Sequence, residues 1–173
     1  LPASNFTRAC AAHRTVAGLR SYAPDSFAEP PPERLFSDNV VLTGDLGQEL
    51  ARGREAYLAS FAALARVNAA PLLPLSAGEL EICTLAPSAD GVGVEWRVPV
   101  RVGTSALPAV ASSVELSGRS VYSFDAAGDF ATHRLANLRL DGRPLPSTVL
   151  AELLAVGSGS VTSPIGVRRA IGP

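Results

Sequence analysis

Lysine and methionine are absent from this chain, and cysteine, tryptophan and charge are scarce. Each shortage excludes something. All fifteen basic residues are arginine, set against sixteen acidic ones for a formal net charge of −1. That balance offers no electrostatic grip on nucleic acid or on anionic lipid. The arginine-only surface reads as the mark of a GC-rich genome, and it presents planar cations suited to holding carboxylates. Without methionine, Leu1 is not an initiator, and the expectation is a chain from which a targeting peptide has been removed. No apolar run approaches the ~20 residues of a membrane span. Cys10 and Cys83 fit no metal spacing and read as two buried thiols rather than a disulfide. A glycine-rich phosphate loop, a nucleophile elbow and a metal-binding constellation are all missing, so no cofactor and no metal are expected.

What remains is enough for one folded domain. Of 173 residues, 47% are hydrophobic and 18% charged, which argues against disorder of the whole. The organising stretch runs from Val114 to Asn137. Val114, Leu116, Gly118, Ser120, Tyr122 and Phe124 alternate with Glu115, Ser117, Arg119, Val121 and Ser123, the period of a strand with two unlike faces. Asp125 to Asp129, with Gly128, is a hairpin turn. A second alternation follows, Phe130, Thr132, Arg134, Ala136 and Leu138 against Ala131, His133, Leu135, Asn137 and Arg139. A hairpin this long needs further strands and a cover.

The rest of the chain supplies them. Asn5 to Tyr22 reads as a helix with a stripe of Phe6, Ala9, Cys10, His13, Val16 and Ala17, stopped by Pro24 and a proline-rich connector. Asn5-Phe6-Thr7 matches the glycosylation tripeptide and is read as chance. Glu33 to Thr43 is a helical turn and a short strand, and Gly44 to Gly53 a polar loop. Arg54 to Val67 is a second helix, capped by Gly53, with Tyr57, Phe61 and Leu64 on one face and Pro71 and Pro74 beyond its end. Glu79 to Ala86 and Val92 to Val102 are strands. In the latter Val92, Val94, Trp96, Val98, Val100 and Val102 share a side, and Pro99 argues for an edge or a bulge. Ser147 to Val156 is a short helix, and Ser158 to Pro173 a Gly/Ser/Pro-rich tail carrying Arg168 and Arg169. Helices followed by antiparallel strands make an α+β pattern: one domain over residues 1–157 and a tail over 158–173. A curved sheet wrapped around the helices would leave a cone-shaped cavity.

Several segments then resemble a known superfamily. Leu35-Phe36-Ser37-Asp38-Asn39-Val40-Val41 and Arg52-Gly53-Arg54-Glu55-Ala56-Tyr57 are similar to the front half of nuclear transport factor 2-like (SnoaL-like) proteins. Val94-Glu95-Trp96, the run Leu116 to Asp125, Gly128 and His133 resemble an uncharacterised plastid and cyanobacterial branch of it. The resemblance covers roughly Asn5 to Leu140 and implies a cone-shaped curved antiparallel sheet around N-terminal helices. Its catalytic members place carboxylates, a tyrosine or a histidine inside the cone, and other members only bind.

Candidate residues are few. His133 or His13 suits a general base, with Asp38, Asp45 or Glu95 to fix the imidazole. The stronger reading leaves His133 at the sheet surface and His13 packed on its helix stripe or at an interface. Tyr57 and Tyr122 suit oxyanion donors, though core packing explains both, as it does Trp96. Arg97, Arg101 and Arg119 share a phase with Glu81, Glu95 and Glu115. The pattern leaves open cross-strand ion pairs or a docking face for a partner's carboxylates.

Two functions follow. The first is a non-catalytic binding or structural subunit whose cone is filled. There Arg97, Arg101, Arg119, Arg168 and Arg169 meet other protein subunits, in an organelle and by analogy a chloroplast, as a peripheral part of a photosynthetic assembly. The alternative is a SnoaL-like isomerase, cyclase or hydrolase acting on a hydrophobic carbonyl compound through His133 or Asp38 and Tyr57 or Tyr122. It requires an open cavity of ~300 Å3 or more with at least two polar groups converging.

Overall fold

The computed structural model describes residues 5–69, 75–88, 91–102 and 112–146. The expected helix at 147–156 and the tail with Arg168 and Arg169 lie outside the described residues.

Helix α1 spans Asn5–Tyr22, and a single 3-10 turn over Ala23–Asp25 follows where Pro24 forbids a further α-helical bond. A second such turn, Glu33–Leu35, feeds β1 (Phe36–Thr43), which turns back into β2 (Glu49–Arg52). Strand β2 lies in the stretch expected to be a polar loop. Gly53 then takes φ +85°, a backbone only glycine adopts freely, and its carbonyl accepts the Tyr57 N–H at 3.0 Å to start α2 (Arg54–Ala69). Beyond it come β3 (Leu75–Ala77), β4 (Glu81–Pro87), β5 (Gly91–Val102), β6 (Ser112–Phe124), β7 (Phe130–Leu140) and β8 (Arg143–Pro144).

The strands form one sheet in the order β2-β1-β7-β6-β5-β3, with β4 also paired to β5 and β8 to β7. All pairs are antiparallel except β1 with β7, so the sheet is mixed rather than wholly antiparallel. It is curved, and α2 lies in its concavity through Tyr57, Leu58, Phe61 and Leu64, packed with Phe36, Leu42, Val94, Trp96 and Phe130. Pro99 sits inside β5, not at an edge. Its carbonyl accepts from Gly78 N–H at 2.8 Å, in the break between β3 and β4, where no ladder bond needs the N–H that proline lacks.

Helix α1 buries a different stripe from the one expected. Thr15 and Leu19 are buried and Val16 half-buried, whereas Ala9, Cys10, His13 and Ala17 face out. An alanine-rich helix distinguishes its faces weakly, and the few larger side chains decide. The Thr15 hydroxyl reaches the carbonyl of Gly128 at 2.9 Å, fixing α1 on the β6–β7 turn. Cys10 and Cys83 are exposed free thiols, not buried ones.

Candidate functional site

The site begins with a slip in strand register. Ser123 lies opposite Thr132, but Phe124 lies opposite Phe130, so Ala131 is an extra residue in β7. One inserted residue moves every later side chain to the other face. His133 thereby joins Phe130 and Leu135 on the concave side instead of the sheet surface, and it is only 1% exposed. Directly opposite it on β6 stands Tyr122, with ring centroids 4.2 Å apart and planes at 22°. Two residues before Tyr122 on the same face is Ser120.

Both imidazole nitrogens of His133 are engaged. Nδ1 lies 2.8 Å from the Tyr57 hydroxyl, brought in by the first turns of α2. Nε2 lies 2.9 Å from Ser120 Oγ, which also accepts the indole N–H of Trp96 at 3.0 Å. Burial depresses the imidazole pKa to about 3, so His133 is neutral at physiological pH. Burial likewise raises the Tyr57 and Tyr122 phenols, which keep their protons.

These groups line a cavity of about 150 Å3 inside the cone. Its walls are apolar, with Phe36, Leu42, Phe61, Leu64, Ile82 and Leu135 among them. The connector after α1 closes one side with Ala23, Ser26, Phe27 and Pro31. Asn68 holds that connector by donating to the Phe27 carbonyl at 3.1 Å, and Leu80 N–H donates to the Pro24 carbonyl at 3.3 Å. Among the described residues, no carboxylate and no cation lines the cavity.

The other expected residues lie elsewhere. Asp38 is on the outside, its side chain 84% exposed and paired with Arg54. Asp45 and Glu95 are exposed too, so hydroxyl groups rather than a carboxylate orient the imidazole. His13 is exposed on α1. Arg97 makes a two-pronged bond to Glu81, with Nε–Oε2 at 2.9 Å and Nη2–Oε1 at 3.0 Å, which is one of the ion pairs the strand phase allowed. Arg101 and Arg119 are exposed on that same outer face. Sequence reasoning passed over Ser120, although a hydroxyl in the phase of Leu116 and Tyr122 was the available signal.

No family model matches the chain, and no curated protein matches it. Solved structures do. A steroid delta-isomerase of Pseudomonas aeruginosa is 16% identical with a TM-score of 0.54, covering 87% of this chain and 90% of its own. A bacterial protein with a cystatin-like fold from Silicibacter pomeroyi is 13% identical with a TM-score of 0.52, over 86% of this chain and 84% of its own. A phenazine biosynthesis-related protein of Pseudomonas aeruginosa is 13% identical with a TM-score of 0.50, over 96% of this chain and 97% of its own.

The chain has the nuclear transport factor 2-like fold. In this nuclear transport factor 2-like cone the Tyr57–His133–Ser120 chain lines the inner cavity. Among the described residues, no helix is long and apolar enough to cross a membrane.

Proposed function

We propose that the cone binds a compact, mostly apolar small molecule, with its one polar end against Tyr57, His133 and Ser120. The observation that carries this reading is a buried, hydrogen-bonded trio in a cavity whose wall is otherwise mostly apolar. Such a cavity suits one ring or a short branched chain, since a cavity of this size lined by apolar side chains takes up benzene. At about 150 Å3 it is half the ~300 Å3 expected of the enzyme alternative, and it is not the filled cone expected of a structural subunit. The chemistry at hand is polarisation of a hydrophobic carbonyl by a phenol. An isomerase, cyclase or hydrolase activity would use Tyr57 or Tyr122 in that role, and Asp38 takes no part in it.

Thermal unfolding with single-ring ketones tests the reading. A ligand at ten times its dissociation constant adds about 1.4 kcal/mol, which is ~3–6 °C in midpoint for a chain of this length. Ser26→Trp, at the half-buried rim, should abolish the rise. A rise that survives the plug, or no rise with any ketone, would refute it.

A further inference from the structure

The network has a property independent of how its protons are arranged. Trp96, Ser120, His133 and Tyr57 each bring one N–H or O–H proton when the imidazole is neutral. They are joined in a line by three contacts: Trp96 to Ser120, Ser120 to His133, and His133 to Tyr57. Each contact consumes one proton. Four protons and three contacts leave one proton over.

The histidine tautomer moves the surplus without removing it. Trp96 can only donate, so Ser120 Oγ always accepts there. If the Ser120 hydroxyl donates to Nε2, then Nδ1–H donates to Tyr57, and the Tyr57 O–H is spare. If Tyr57 donates to Nδ1, then Nε2–H donates to Ser120, and the Ser120 O–H is spare. The Tyr122 phenol, stacked on His133 and lining the same cavity, brings one more proton, so counting it leaves the surplus at one or more. A hydroxyl oxygen that already accepts one bond tolerates an empty second lone pair, whereas a buried proton without an acceptor is left wholly unpaired.

We infer that the cavity selects neutral molecules carrying a hydrogen-bond acceptor, such as a ketone, an ether or an aromatic nitrogen, over hydrocarbons and donor-only molecules. Carboxylate ligands are disfavoured because no cation among the described lining residues compensates their desolvation. This rests on the binding reading above and adds the polarity of the ligand's polar end.

The test uses the full chain and three small ligands: cyclohexanone, its isostere methylenecyclohexane, and pyrrole, which donates without accepting. Calorimetry should give cyclohexanone about tenfold tighter binding than methylenecyclohexane, the value of one net hydrogen bond, with pyrrole no better than the hydrocarbon. The infrared carbonyl stretch of bound, isotope-labelled cyclohexanone should lie below its position in alkane solvent. Equal affinities for ketone and hydrocarbon, pyrrole binding tightest, or an unshifted stretch would overturn the acceptor rule while leaving the binding site standing. If none of the three binds, the binding reading fails and the acceptor rule with it.

Discussion

Ser120→Ala is the sharpest perturbation of the site. Ser120 is 5% exposed, and its oxygen serves both Trp96 Nε1 at 3.0 Å and His133 Nε2 at 2.9 Å. Alanine keeps the Cβ, so almost no packing is lost and the cost is that of two buried groups left without a partner. At ~1–3 kcal/mol for each unpaired group, the expected loss is about 3 kcal/mol. For a chain of this length that is a fall of ~6–12 °C in the unfolding midpoint. Urea denaturation of Ser120→Ala, Trp96→Phe and the double variant forms a thermodynamic cycle. Removing the indole N–H takes away one of the two penalties, so the double variant should lose less than the sum by about 1 kcal/mol. A single-variant loss under ~0.5 kcal/mol with an additive cycle would show that Ser120 is not the pivot of a buried network.

Three further outcomes follow from the same geometry. Because burial lowers the folded-state pKa of His133 from 6.5 to about 3, the unfolded chain binds a proton the folded chain refuses in that window. Stability should therefore fall as pH drops from 6.5 toward 5, by about 1.4 kcal/mol per pH unit from this group. His133→Gln should flatten that part of the curve in pH-dependent denaturation. Gly128→Ala should destabilise by more than ~2 kcal/mol in the same assay, since its φ of +91° strains an L residue and a Cβ would lie 2.7 Å from the Ala11 side chain and 2.9 Å from the Ala12 nitrogen. Cys10 and Cys83, both exposed, should react together with a thiol reagent in the native protein, and protection of either until unfolding would contradict the fold around it.

How far the sequence reveals this arrangement depends on the element. Strand β5 is legible because Val92, Val94, Trp96 and Val98 are all buried on one period. Helix α2 is legible because Gly53 and Glu55 mark its start and Tyr57, Phe61 and Leu64 its inner face. Strands β2 and β3, of four and three residues, are too short to display a period. The face of α1 is ambiguous because alanine occupies both sides. The site itself hinges on Ala131. Alternation alone puts His133 outside, and the extra residue that turns it inward is set by pairing with β6, which no local pattern records. Once His133 is inward, Tyr57 and Ser120 follow from phases that were already readable. The carboxylate partner expected from chemical habit does not appear, because hydroxyls satisfy a neutral imidazole without burying a charge.

The most direct measurement locates a bound ligand. With isotope-labelled protein and cyclohexanone, intermolecular nuclear Overhauser effects report which side chains touch the ring. A ligand held in the cavity should show contacts to Phe61, Leu64, Leu135 and Tyr122 inside the cone. Contacts confined to the outer groove of Glu79, Glu81, Arg97 and Val114 would contradict it.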